Sequence, residues 1–379
     1  MTREEVNNLA LSTIDRAKFL ILELATGYGK SKLAIDLINH ICDRVYELHQ
    51  DTTNVLILVA KKVHKKNWLD EINKWGGLKT DNVIIECYES FHKYKNAYFD
   101  TIVGDEAQHL SPKRLEILDT IHIKEAFIGL SATIKKDMKD YFTYKYNAEI
   151  IKCSLKEAIE EDILPEPKVY LLPLSLDNNK YEYKLTRFGR TSVLTQVGYN
   201  DAITTLIEYY KRRFYTTKNI RIKNLWLSTA GKRLKWLSEQ KESIVLSILR
   251  RFSNYRTLTF CSSIDQSERL GKYNITSKNK KAVEYLNMFN NLEIKHITAC
   301  SILNEGANLT NCRIGIFCNL NSSEIITRQR IGRLLRHSSP IIIIPYYKNT
   351  REEELVTKML EEYNRESIVK VHSVNEIII

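Results

Sequence analysis

Leu24-Ala25-Thr26-Gly27-Tyr28-Gly29-Lys30-Ser31 is the stretch on which the fold turns. It ends an apolar, strand-like run at residues 19–24 and opens a segment, 31–48, whose apolar residues recur at helical spacing. A strand that passes through a glycine-rich turn straight into a helix is built to hold phosphate. Glycine lets the backbone approach an anion, and the free N–H groups of the turn and of the first helical turn form a positively polarised nest. In that setting Lys30 reaches the β- and γ-phosphates of a nucleotide, and Ser31 offers its hydroxyl to Mg2+. Thr26, Gly27, Tyr28 and Gly29 complete the candidate loop. The full pattern has another glycine at position 24, where this chain carries Leu24.

Working outward, short apolar runs at 55–59, 83–87, 101–103 and 126–130 alternate with amphipathic stretches such as 64–75. That rhythm predicts βα units on a parallel sheet. The run at 101–103 leads into Gly104-Asp105-Glu106-Ala107-Gln108-His109. Two carboxylates at the end of a buried strand suit metal-assisted phosphoryl transfer, Asp105 serving Mg2+ and Glu106 orienting and activating water. A second alternating series starts near residue 256, with strand-like runs at 257–261, 294–299, 313–317 and 341–345. Helical patterns occupy 265–271, 278–290 and 352–363. The fold class read from this is α/β: two parallel-sheet lobes with a basic helical insertion or linker between them. The expected boundaries are 1–153 for the first lobe, 154–240 for the middle segment, within which Leu164-Pro165-Glu166-Pro167 reads as a linker, and 241–379 for the second lobe.

The 379 residues are 43% hydrophobic and 27% charged, the balance of a globular chain rather than a disordered one. No apolar run nears the roughly 18 residues of a membrane span, and the polar start at residues 1–8 does not read as a signal peptide. Seven scattered cysteines, never spaced CxxC, argue against a zinc module or disulfide framework and for a reducing, cytoplasmic setting. The net charge is +11, and all of the excess lies in residues 177–256, where 17 Lys or Arg face 6 Asp or Glu. There Lys211, Arg212 and Arg213 stand among Tyr209, Tyr210, Phe214, Tyr215 and Trp226. Such cations neutralise phosphates without reading sequence, and such rings either stack on bases or pack a small helical core.

Four stretches in order carry a family resemblance: Ala25 to Ser31, Asp105-Glu106-Ala107-Gln108-His109, Ser131-Ala132-Thr133, and Gln329-Arg330-Ile331-Gly332-Arg333-Leu334-Leu335-Arg336. The chain resembles a superfamily 2 helicase or translocase of the broad DEAD/DEAH kind, close to restriction-enzyme motor subunits, over about residues 18–350. The resemblance implies two RecA-like lobes with ATP and Mg2+ between them. It assigns Lys30, Asp105, Glu106, Gln329, Arg333 and Arg336 to catalysis, and Ser131 and Thr133 to coupling hydrolysis to movement. It adds Gly306 to the nucleotide contacts and places Lys61, Lys62, Ser277, Lys278 and Asn308 at nucleic acid. Trp68, a few residues after Lys62, reads as core or as a base-stacking platform.

The expected activity is ATP-driven movement on, or unwinding of, nucleic acid, DNA before RNA. An RNA helicase of the same fold stays open, as does a duplex translocase. A non-motor clamp that binds ATP and nucleic acid without turning over is the reading from another class. Many relatives read adenine with a Gln upstream of the phosphate loop; here no Gln precedes Gln50, which leaves nucleotide specificity open.

Overall fold

The computed structural model describes every residue except 188, 301–308, 321–322 and 362. The chain divides into two compact units, Met1–Pro165 with Ile331–Arg333, and Glu166–Arg330 with Leu334–Ile379.

The first unit opens with α1 (Arg3–Ile14), whose Thr2 cap and Glu5 form a capping box. β1 (Phe19–Leu24) leads through the phosphate-loop stretch into α2 (Lys30–His49). β2 (Val55–Val59), α3 (Lys62–Lys74) and β3 (Val83–Cys87) follow, then β4 (Tyr98–Asp105), α4 (Pro112–Leu118) and β5 (His122–Ser131). α5 (Lys136–Tyr146), β6 (Glu149–Cys153) and α6 (Leu155–Glu160) complete it. The strands pair in the order β3-β2-β4-β5-β1-β6, every pairing parallel. Such sheets are covered on both faces, so their inner strands read as unbroken apolar runs; every residue of β1 and β2 is buried. Phe19, Tyr88, Phe91, Phe127 and Phe142 form much of the core on one side.

The second unit starts with β7 (Lys168–Leu174), then the antiparallel ribbon β8 (Tyr183–Arg187) and β9 (Arg190–Leu194). Two long helices come next, α7 (Gln196–Thr217) and α8 (Ile220–Glu239), joined by Lys218-Asn219 into a helical hairpin. After α9 (Glu242–Arg251) the chain alternates again through β10 (Thr257–Phe260), α10 (Ile264–Leu270), β11 (Asn274–Ile275), α11 (Ala282–Asn290), β12 (His296–Ala299) and β13 (Ile314–Phe317). α12 (Glu324–Leu334), β14 (Ile341–Tyr347), α13 (Arg351–Leu360) and β15 (Ile368–Lys370) close the unit. The second sheet runs β11-β12-β10-β13-β14-β7-β15, again all parallel. The α/β expectation of two parallel-sheet lobes with a basic helical segment is met. Several strands lie outside the expected runs: β6, the β8–β9 ribbon, β11, β15 and above all β7, which sits inside the stretch read as linker and helical segment yet is an inner strand of the second sheet between β14 and β15.

Candidate nucleotide site and nucleic-acid faces

β4, β5 and β1 lie side by side, and their register aligns Glu23 with Ser131 and Leu130 with Asp105. The phosphate loop, the acidic pair and Ser131-Ala132-Thr133 therefore all leave the sheet along one carboxyl-terminal edge. That is the edge on which open parallel sheets bind ligands.

The loop is held open by conformation. Gly27 and Gly29 sit at φ +97° and +103°, a region closed to most L-residues. A Cβ on Gly29 would meet nothing within 4 Å, so glycine is needed there for its backbone and not for space. Gly29 caps α2 without a side-chain oxygen, which leaves the first N–H groups of a 20-residue helix directed at the loop. Lys30 Nζ donates to Leu24 O at 3.0 Å and Ala25 O at 3.2 Å, so the ammonium is held against the loop's own carbonyls. Ser31 follows on the first turn of α2, and Thr26 is half-buried in the loop. Tyr28 turns its side chain away from the loop's mouth. Its N–H closes the turn onto Ala25 O, and its buried side chain turns to α1, where the hydroxyl donates to Arg3 O at 3.2 Å. Tyr28 braces the loop from behind.

Across the edge, Asp105 ends β4 and Glu106 stands at φ 53°, ψ 57°. A non-glycine residue held left-handed costs about 1–3 kcal/mol and persists only where its surroundings fix it. Gln108 supplies part of that fixing: its Nε2 donates to Glu106 Oε2 at 2.6 Å, while its Oε1 accepts from Ser131 Oγ at 2.5 Å. Ser131 Oγ also accepts from Thr133 N at 3.1 Å. Glu106, Gln108, Ser131 and Thr133 thus form one hydrogen-bonded run from the acidic pair to the turn after β5. Burial, and then the Glu106 charge, push Asp105 up to about 6, against the opposing pull of the Trp68 N–H and the Lys30 ammonium. A divalent cation would relieve that crowding of negative charge. A phosphate nest, a lysine at its mouth and a pair of half-buried carboxylates fit Mg2+ and a nucleoside triphosphate.

Three members of this site were not singled out for these roles from sequence. Gln108 belongs to the Asp105-Glu106-Ala107-Gln108-His109 motif, which by itself assigns it no contact. Glu23, buried in β1, accepts from Ile134 N at 3.1 Å and pairs with Lys139, which ties down the chain just past Thr133. Trp68 is buried and donates its indole N–H to Asp105 Oδ2 at 2.9 Å, so it is neither plain core nor an exposed stacking platform. An isolated charge inside an apolar strand was the available signal for Glu23; local sequence carries none for the other two contacts.

The expected nucleic-acid residues of this unit, Lys61 and Lys62, are exposed at the N-terminus of α3. In the second unit, Ser277 and Lys278 are exposed just beyond β11. Lys211, Arg212 and Arg213 lie on α7; Lys211 pairs with Glu208 at 3.7 Å, Arg213 donates to the Tyr209 hydroxyl at 3.0 Å, and Arg212 is exposed. The aromatics divide. Trp236 is buried against Tyr183 and Tyr199, whereas Tyr209 and Tyr215 face solvent. On α12, Arg330 is buried over the Phe260 ring, with its Nη1 on Asn319 O at 3.0 Å, and Leu334 packs where a Cβ on Gly315 would stand. Arg333 is half-buried on the last turn of α12 and Arg336 is exposed beyond it. Gly306, Asn308 and the side chain of Gln329 lie outside the described residues.

With this geometry in place, comparison with known proteins is direct. Residues 238–338 match the Helicase conserved C-terminal domain. The chain is 22% identical over 368 residues to the DNA 3'-5' translocase XPB2 of Sulfurisphaera tokodaii, covering 90% of this chain and 79% of that one. In fold it is similar to "the fragment structure of a putative HsdR subunit of a type I restriction enzyme from Vibrio vulnificus YJ016", with TM-score 0.63, 16% identity, and coverage of 100% of this chain and 69% of that one. It is also similar to the Hef helicase domain of Pyrococcus furiosus, with TM-score 0.54, 14% identity, and coverage of 93% and 97%. Among the described residues, no helix is long and apolar enough to cross a membrane.

Proposed function

We propose, for a chain that its two parallel sheets, its ordered motifs and its matched C-terminal domain make a superfamily 2 helicase or translocase, that it is an ATP-driven motor acting on DNA without regard to sequence. The observation that carries this reading is the row of Lys30, Asp105, Glu106 and Ser131 on one sheet edge, with Gln108 joining the last two.

Bound Mg2+ and ATP supply the transferable phosphoryl group and the charge around which this site is built. The chain's own part is positioning and neutralisation, which is most of what phosphoryl transfer asks of a protein. Lys30, held now by Leu24 O and Ala25 O, would meet the phosphate oxygens, and the N–H groups at the start of α2 would take the rest of that charge. Ser31 and Asp105 would hold the cation. The Glu106 carboxylate orients the attacking water and accepts its proton. The run through Gln108 to Ser131 and Thr133 carries the state of Glu106 to the turn that follows β5. Arg333 and Arg336 take the arginine-finger role their motif implies. On the nucleic-acid side, Lys61, Lys62, Ser277, Lys278 and the basic hairpin with Lys211, Arg212 and Arg213 hold backbone phosphates, which position a strand without reading bases.

The test is ATP hydrolysis measured alone and with single-stranded DNA, duplex DNA, forked DNA and RNA, with Lys30→Ala and Glu106→Gln as blanks. Stimulation by one DNA form, lost in both variants, is the expected result. Hydrolysis that survives either substitution refutes the site. RNA-only stimulation moves the motor to RNA, and tight binding of DNA without turnover in the unaltered protein replaces the motor with a clamp.

A further inference from the structure

The indole of Trp68 joins two sites that the motor reading treats separately. Trp68 lies on α3, only 3% exposed, and its one polar atom donates to Asp105 Oδ2 at 2.9 Å. An indole N–H is a donor only, so it fixes one oxygen of a carboxylate and cannot exchange roles with it. The same helix begins at the exposed Lys61 and Lys62. At 1.5 Å per residue, Trp68 stands about 9 Å along the axis from Lys62, within one continuous helix. α3 is also tied to the neighbouring strand by Lys65, whose Nζ meets Glu86 Oε1 on β3 at 2.6 Å. Beyond the end of β3, Tyr88 is fully buried; burial first, then the Asp105 and Glu106 charges, hold its hydroxyl well above the usual tyrosine range, against the Arg114 guanidinium. The Asp105 carboxylate is therefore held by a side chain of α3, the helix whose first residues are expected at the DNA track. A shift of α3 under load at Lys61 and Lys62 moves the donor that orients Asp105.

We propose that Trp68 is a positioning residue that couples nucleic-acid grip to metal–nucleotide grip, through α3 and a single N–H···carboxylate bond. The proposal rests on the motor reading, with Asp105 at the cation and the start of α3 at backbone phosphate. Coupling between two binding sites is reciprocal: Mg2+–nucleotide must change DNA affinity by the same factor as DNA changes nucleotide affinity.

The experiment uses the full chain and a fluorescently labelled DNA oligonucleotide of the form that stimulates hydrolysis best. Its dissociation constant is measured without nucleotide and with Mg2+ plus a non-hydrolysable ATP analogue. The unaltered protein is expected to show a ratio of about 5-fold or more between the two conditions. Trp68→Phe keeps a ring in the core but removes the donor, and its ratio is expected to fall to within about twofold of one. The ratio cancels any loss of affinity or of folded protein common to both conditions. Trp68→Phe with the ratio of the unaltered protein overturns the proposal, and so does an unaltered protein with no coupling. A second measurement needs no substitution at position 68. In 15N-tryptophan-labelled protein, with the other three indole signals assigned through Trp75→Phe, Trp226→Phe and Trp236→Phe, the Trp68 N–H signal is expected to shift on adding Mg2+–analogue and again on adding DNA. A signal that ignores DNA overturns the proposal. Failure of the motor reading is distinguishable, because it appears as absent DNA-stimulated hydrolysis in the unaltered protein.

Discussion

Gln108→Ala is the sharpest perturbation of the candidate site, because it leaves every expected catalytic group in place. The Gln108 amide donates to the Glu106 carboxylate at 2.6 Å and accepts from Ser131 at 2.5 Å. A hydrogen bond to a charged group is worth about 1.5–3 kcal/mol. Glu106 also carries a left-handed backbone that its neighbours must hold. If that bond orients Glu106 in the transition state, its loss lowers kcat by roughly 10- to 100-fold, at about 1.36 kcal/mol per decade. The assay is DNA-stimulated hydrolysis at saturating ATP. Ser131→Ala cuts only the far end of the run and should cost less. In the double variant the two losses should fail to add, with a coupling of about 0.5–3 kcal/mol, since Ser131 acts on Glu106 only through Gln108. A Gln108→Ala kcat within about twofold of the unaltered protein refutes the orienting role. Additive losses refute the serial run.

Other consequences lie in the second unit. Lys241 and Glu352 are both fully buried and meet at 2.6 Å; Lys241 also donates to Pro345 O, and Glu352 accepts from Tyr347 N. Lys241→Met alone strands a buried carboxylate and should cost about 3–5 kcal/mol in urea denaturation, whereas Lys241→Met with Glu352→Leu should recover most of it. Equal losses in the single and double variants would contradict this. His296 Nε2 lies 3.2 Å from Thr259 Oγ1, and burial lowers its pKa from 6.5 to about 4. Between those values the unfolded chain binds the proton and the folded chain does not, so stability falls as pH drops through that window and is unaffected above it. His296→Gln should flatten the acid limb of the denaturation midpoint; an unchanged limb would assign it to other groups.

What the sequence made legible follows from how local each signal is. The phosphate loop is read from residues adjacent in the chain, and the structure keeps it as written: Gly27 and Gly29 left-handed, Lys30 and Ser31 opening α2. The strands of the first sheet other than the edge strand β6 are legible as apolar runs because a parallel sheet buries both faces. Position in a sheet is a different kind of fact. β7 lies in a proline-marked stretch and carries Pro173, yet it pairs with β14 over Ile341 to Tyr347 and with β15 beyond. Its partners lie roughly 170 and 200 residues further along the chain, and nothing in Lys168–Leu174 names them. The same holds inside the site. Asp105 could be identified as a strand-end carboxylate, but that Trp68 would be its donor depends on β2 lying next to β4, which brings the helix after β2 alongside the end of β4. Sequence periodicity carries the identity of elements, while strand order decides which side chains meet. The residues hidden from sequence in this chain, Trp68, Gln108 and Glu23, are accordingly those whose role lies in a contact between elements and not in a motif.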